Sequence, residues 1–196
     1  MVTSTASNTA VDISSRALIL IGAEPITSFG DGSTESLVTS NLYEDIVRTA
    51  LVNARWRFAT NQAVLNLLSD APTGRYDKAY QLPADNLMVH SVTVNDNLID
   101  YQLYGDKVFA DTTDADEVIA DYTFRADEAT FPAYFTLAVT YALAIPLALS
   151  IARDASLANA ITQQAAQLMA KARSIDAQQQ TTRKLVTSRF ITNRRS

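Results

Sequence analysis

The chain of 196 residues is 47% apolar and 19% charged, with five Gly and five Pro; this suits one domain with a real core and excludes a collagen-like, Pro-rich or largely disordered chain. It has no Cys and one His, so a disulfide framework, a thiolate nucleophile, a Cys-based zinc site and an iron–sulfur cluster are all excluded. The net charge of −5 is uneven: residues 70–130 hold 13 acidic against 4 basic side chains, and residues 171–196 hold 7 basic against Asp176 alone, two surfaces suited to different neighbours.

Residues 1–9 are polar and uncharged, without a basic segment leading into an apolar run, and read as no signal peptide. Over 9–21, Ile13, Ala17, Leu20 and Ile21 recur at helical spacing, Gly22 marks a stop and Pro25 follows. Residues 29–34 form a turn with Ser33 or Thr34 as N-cap and Glu35 in the first helical turn beyond. In the second helix Val38, Leu42, Ile46, Ala50 and Ala54 recur every four residues, with Leu37, Val47 and Leu51 widening the stripe. Trp56 and Phe58 close this helix or follow it, and Val64, Leu65, Leu67 and Leu68 suit helix or strand equally.

At residues 70–74 the helical period gives way to a β-type pattern. Residues 87–94 alternate, 95–97 turn, 98–104 follow, and 107–110 and 118–124 bracket a polar loop, together an antiparallel meander of four or five strands. Residues 131–152 contain no charge and are long enough to span a bilayer. Their six Ala, the scattered Thr136, Thr140 and Ser150, the internal Pro146 and the single flanking Arg125 and Arg153 read instead as the centre of a helical core, with no membrane partner. A long helix from near Ser156 to about residue 180 carries Leu157, Ile161, Ala165, Leu168, Ala172 and Ile175 on one stripe.

Strands segregated from helices give an α+β class. The expectation is a single domain over 1–180: about a four-helix bundle, from helices at 9–58 and 128–180, with a small β-meander inserted at about 74–125. Residues 181–196 form an extended C-terminal arm. The arm mixes Arg183, Lys184, Arg189, Arg194 and Arg195 with Leu185, Val186, Phe190 and Ile191, four apolar side chains that a merely solvating tail does not need.

Chemistry-bearing motifs are few. His90 lies in an alternating strand on the face of Met88, Val92 and Val94, with Ser91 on the opposite face, so neither a general base nor a triad is expected there. The Gly30-Asp31-Gly32-Ser33 turn lacks the Lys of a P-loop and the third Gly of a dinucleotide fingerprint. The run containing Asp111, Asp114, Asp116 and Glu117 lacks the sixth-position Gly and twelfth-position Glu of a calcium loop, Tyr122 standing at the latter. No cofactor, metal or catalytic residue is expected.

Four stretches carry a family resemblance. They are residues 16–29 (Arg-Ala-Leu-Ile-Leu-Ile-Gly-Ala-Glu-Pro-Ile-Thr-Ser-Phe), residues 54–59 (Ala-Arg-Trp-Arg-Phe-Ala) with Leu65 beyond, Tyr76 to Pro83 with Asp85, and the Ala-rich helix from Phe131. Together they resemble the head-to-tail adaptors of tailed bacteriophages, of the tail tubular protein A type, over residues 10–180. The resemblance implies a non-enzymatic virion protein made in the host cytoplasm, a ring of about twelve copies around the DNA channel. Its partners are the portal protein, further copies of itself and a downstream nozzle or neck protein; DNA passes without specific binding. On that basis residues 181–196 are the portal-docking arm, and Asp96, Asp111, Asp114, Asp116 and Glu117 are tail-facing. The rival reading is a bacterial helical interaction domain that binds peptide or nucleic acid through its basic tail.

Overall fold

The computed structural model of the chain describes residues 8–69, 72, 74–113 and 115–179. Four α-helices and eight β-strands are found among them, the strands in two small antiparallel sheets. Helix α1 (Ala10–Leu20) opens on a capping box: the Thr9 hydroxyl accepts from the Asp12 N–H, and the Asp12 carboxylate accepts from the Thr9 N–H, both at 3.1 Å. It ends at Gly22, whose φ of +76° is free of strain only because glycine has no Cβ. Ile13, Ser14, Ala17 and Leu18 are its buried side chains, while Leu20, expected inside, faces out at the helix end.

Helix α2 (Thr34–Val52) is capped by Ser33, whose hydroxyl accepts from the Ser36 N–H at 3.0 Å. Its deepest face holds Thr39, Tyr43, Val47, Ala50 and Leu51; Val38, Leu42 and Ile46 are half-buried beside it. The core stripe is thus turned by one position, about 100° of helix. Tyr43 sets that turn, because its ring packs on Phe29 at 5.7 Å while its hydroxyl reaches Glu128 at 3.2 Å.

The helix ends at Val52, not near residue 58. Trp56 folds back beneath it, fully buried, and its indole N–H donates to the Ala50 carbonyl at 2.8 Å. Anchoring the indole there forces the backbone out of the helical path into a 3-10 turn (Arg57–Ala59) and then into strand at Thr60. Strands therefore begin at residue 60, not 74, and the ambiguous 64–68 stretch belongs to them.

The expected single meander is two sheets. The first has the order β1 (Thr60–Val64), β8 (Val118–Phe124), β4 (Asn86–Val94), β5 (Asn97–Leu98). The second has the order β2 (Asn66–Leu67), β3 (Lys78–Gln81), β7 (Lys107–Ala110), β6 (Tyr101–Tyr104). The first strand pairs with the last, with Thr60 opposite Thr123, so the lobe closes on itself where it leaves the helices. Leu65, Tyr80, Leu82, Val92, Val108, Val118 and Ala120 form a core of its own from residues of both sheets.

Helix α3 (Ala133–Ser150) contacts α1, α2 and α4 (Ala155–Gln178). Phe135, Leu143 and Leu147 on it are fully buried, half of the helix is buried overall, and it is long and apolar enough by composition to cross a membrane. A 3-10 turn (Glu128–Thr130) precedes it, so the second helical part starts at 133, not 128. On α4 the buried stripe is Ala158, Ile161, Ala165, Ala172 and Asp176, close to the spacing read from the sequence except that an acid occupies the last place.

Phe131, Phe135, Phe58 and Trp56 make one aromatic cluster with centroids 4.8 to 6.1 Å apart. Trp56→Ala should lower unfolding free energy by about 3–5 kcal/mol in urea titration, the cost of a large cavity plus an abandoned carbonyl at Ala50. A loss under about 1 kcal/mol would show that the indole is not a core anchor.

Candidate functional site

The waist between helices and sheets is polar. Arg125, just after β8, spans it: its guanidinium donates to both Glu44 oxygens at 2.9 to 3.2 Å, to Glu128 at 2.6 Å and to the Ala126 carbonyl, and lies 5.9 Å over the Phe131 ring. Its backbone N–H donates to the Asp85 carbonyl at 3.1 Å. Burial opposes the charge on Arg125, but Glu44 and Glu128 outweigh it and hold the guanidinium protonated. The Arg125 hydrogen bonds keep the Glu44 carboxyl below its ordinary range, and burial with Glu128 alongside pushes the Tyr43 phenol up.

A groove of about 820 Å³ opens between the residues that follow α2, strand β1, Asp121 of β8 and the end of α4. Arg55, Arg57 and Arg173 stand exposed on it, whereas its two carboxylates turn inward. Asp176 is buried and accepts from the Arg57 N–H at 3.1 Å and the Tyr134 hydroxyl at 2.7 Å. Burial and Asp176 together push the Tyr134 phenol up to about 12. Asp121 accepts from Ser91 at 2.8 Å and faces Arg55 at 3.5 Å; burial works to raise its carboxyl, but Ser91, Gln62 and Arg55 hold it low.

His90 and Ser91 sit next to this groove in an arrangement the alternating pattern does not give. Two register shifts interrupt β4, between Asn86 and Met88 and between Val89 and Ser91. The second bulge puts neighbours on one face: Ser91 reaches Asp121 and His90 shares a 2.7 Å hydrogen bond with Thr123, two residues on along β8. Ser91 therefore does not point opposite to His90. Its hydroxyl is bound to a carboxylate instead of an imidazole, and burial followed by Arg55 depresses the His90 pKa. The geometry is that of a hydrogen-bonded polar cluster in which Asp121 Oδ1 alone is left without a partner, and it holds no activated nucleophile. No group of three or more possible metal ligands occurs among the described residues.

Of the acidic residues singled out from sequence, Asp96 and Glu117 lie at the end of the first sheet away from the helical core. Val94 pairs with both Asn97 and Val118, so the Asn95–Asp96 turn, with φ of 50° and 63°, and Glu117 share one end of the first sheet. The other end, at Leu87 and Phe124, packs on the helical core. Asp96, Asp111 and Glu117 are exposed; Asp116 is half-buried and accepts from the Thr113 N–H at 2.8 Å. Asp111 accepts from the Asp77 N–H at 2.9 Å, which ties the 111–117 loop to the segment before β3. Asp114 and the whole arm, from Arg183 and Lys184 through Leu185, Val186, Arg189, Phe190 and Ile191 to Arg194 and Arg195, lie outside the described residues. The end of α4, which the arm follows in the chain, is at the waist, where Asp176 meets Arg57 and Tyr134.

Sequence reasoning missed Arg125, Glu44, Asp121 and Asp176. One signal was available for Asp176, an acid four residues after Ala172 on an otherwise apolar stripe. No model of a known protein family matches the chain, and no curated protein matches it in a sequence search.

Removing the cation at the waist leaves Glu44 and Glu128 without it. Arg125→Gln should cost about 2 kcal/mol at pH 7, below the figure for a fully buried pair because Glu44 is nearly half exposed. Since the folded Glu44 carboxyl titrates below its ordinary 4.5, its contribution is complete above pH 4.5 and fades as pH falls beneath it. Urea midpoints from pH 7 to 3 should therefore fall less steeply at the acid end in Arg125→Gln than in the parent; parallel curves would contradict the assignment.

Proposed function

We propose that the protein is a head-to-tail adaptor of a tailed bacteriophage, a structural virion component that forms a ring between the portal and the tail around the DNA channel. One observation carries this reading: the stretches that resemble the adaptor family fall on the joints of the fold. Gly22 ends α1 and Ile26 enters the helical core; Trp56 joins α2 to the sheets; Tyr80 and Leu82 are core residues of the sheet lobe, Asp85 meeting Arg125; Phe131 and Phe135 complete the aromatic cluster. Motifs that specify packing suit a scaffold better than a catalyst. Helices α1, α2 and α4 packed on α3, with the strands lying between α2 and α3 in the chain, are compatible with the body such an adaptor needs.

In this reading about twelve copies stand side by side, with a portal protein on one side and a nozzle or neck protein on the other. Ile19, Leu137 and Leu149 expose apolar surface that suits contact with neighbouring copies. The acidic end of the sheet lobe faces the downstream component, and DNA passes an acidic wall without being gripped. The basic arm at 181–196 reaches the portal, cations steering the encounter and Leu185, Val186, Phe190 and Ile191 anchoring it. The rival, an interaction domain that binds peptide or nucleic acid through the tail, is favoured by Arg55, Arg57 and Arg173 standing exposed at the tail's root.

Co-sedimentation with purified portal rings separates the two. Deleting residues 181–196 should abolish it while leaving the thermal transition in place, and Lys at Asp111, Asp114, Asp116 and Glu117 should leave portal binding intact while blocking addition of the next tail component. A truncated chain that still caps portals removes the arm from the mechanism; a full chain that ignores portals but shifts oligonucleotides in a gel supports the rival.

A further inference from the structure

An open groove of about 450 Å³ runs between α1 and the first half of α3, walled by Ile19, Leu20, Ala133, Leu137 and Tyr141 and rimmed by Asn8 and Arg16. Ile19 is 60% exposed and Leu137 46%, a contiguous apolar strip and not the scattered single side chains normal on a surface. Its lining holds no carboxylate among the described residues, so an occupant must be held by apolar side chains.

Where α4 ends decides what can reach this strip. The bond from the Tyr134 hydroxyl to Asp176 sets the last turn of α4 beside the residue that follows Ala133, at one end of the groove. Two residues later α4 ends at Gln178, with Gln179 as its cap. The six residues from Gln179 to Leu185 span up to about 20 Å when extended, and the way around half of α3, a cylinder about 10–12 Å across, is about 16–19 Å. There the sequence sets two apolar pairs, Leu185-Val186 and Phe190-Ile191, with polar and basic residues around them. Extended, the pairs stand at most about 18 Å apart; the wall from Ala133 to Tyr141 is about 12 Å of helix. The spacing of the two pairs is enough to cover the length of the groove. Residues 1–7, which precede Asn8 at the same rim, offer Met1 and Val2 as their only large apolar side chains.

We propose that residues 185–191 occupy the α1–α3 groove of their own chain. The occupancy covers the apolar strip before any partner is met, and it holds whether or not the chain is an adaptor. A partner that takes the arm would have to lift it out of this groove, which then becomes free.

The natural absence of Cys makes thiol chemistry a clean test. The double variant Leu137→Cys with Phe190→Cys, oxidised with diamide at low protein concentration, should give an intrachain disulfide in more than half of the chains, read as a fast-migrating monomer on a non-reducing gel. The control pair Leu149→Cys with Phe190→Cys, about 18 Å further along α3, should give less than a tenth of that yield. Equal yields, no disulfide, or disulfide-linked dimers in place of the monomer band would each overturn the proposal, dimers pointing to a second copy's segment in the groove. As a check that does not depend on forming the bond, the Leu137→Cys thiol in the full chain should react with a maleimide at least fivefold faster once Leu185, Val186, Phe190 and Ile191 are all changed to Ser. An unchanged rate would equally overturn it.

Discussion

The indole of Trp56 is the fixed point from which the rest of the fold is laid out. Its N–H donates to the Ala50 carbonyl at the end of α2, and its ring packs edge-on against Phe135 of α3 with Phe58 alongside. Meeting both conditions turns the chain out of the helix within a few residues. Everything downstream inherits that direction: Thr60 starts a strand, the Arg57 N–H is delivered to Asp176 on α4, and the end of α4 is held at the waist. A buried aromatic with a polar atom constrains more than an aliphatic of equal size, because the hydrogen bond fixes orientation while the ring fixes distance.

Around that point the two cores meet through charge. The helical core and the sheet core are separate apolar clusters, and the surface between them is spanned by Arg125 with Glu44 and Glu128, and by the backbone carbonyl of Asp85, beside Leu87 and Phe124, which pack on the helical core. An arginine suits the role because its planar fork can serve two carboxylates and a carbonyl at once. Such a joint is strongly directional and weakly apolar. It sets the orientation of the lobes while contributing less cohesion than either core.

Much of this was legible in the sequence, and the failures have physical causes. The capping Ser33, the stop at Gly22, the stripe on α4 and the central place of α3 are local or periodic signals, and the structure contains them. The end of α2 was misplaced because Ala54 continues the four-residue spacing, whereas the helix is broken by a tertiary bond of Trp56. The division into two sheets was missed because pairing of β1 with β8 joins residues about sixty apart, which no local pattern records. The faces of His90 and Ser91 were inverted by a bulge, a one-residue event that period-two reading cannot detect. Of the candidate site residues, the acidic loops were recognisable as a charge run, while the groove arginines come from the two turns that follow α2 and from α4 and converge only in three dimensions.

The ladder between Thr60 and Thr123 brings the two ends of a segment of more than sixty residues to neighbouring positions, about 5 Å apart across a strand pair. Entrance and exit are therefore one place on the helical body, and the strands between them carry a hydrophobic centre of their own. This is the geometry of a cassette. In evolutionary terms the lobe can be lengthened, exchanged or reduced to a short turn with the helices undisturbed, and the surface at its far end can follow a changing partner while Trp56 and α3 stay as they are.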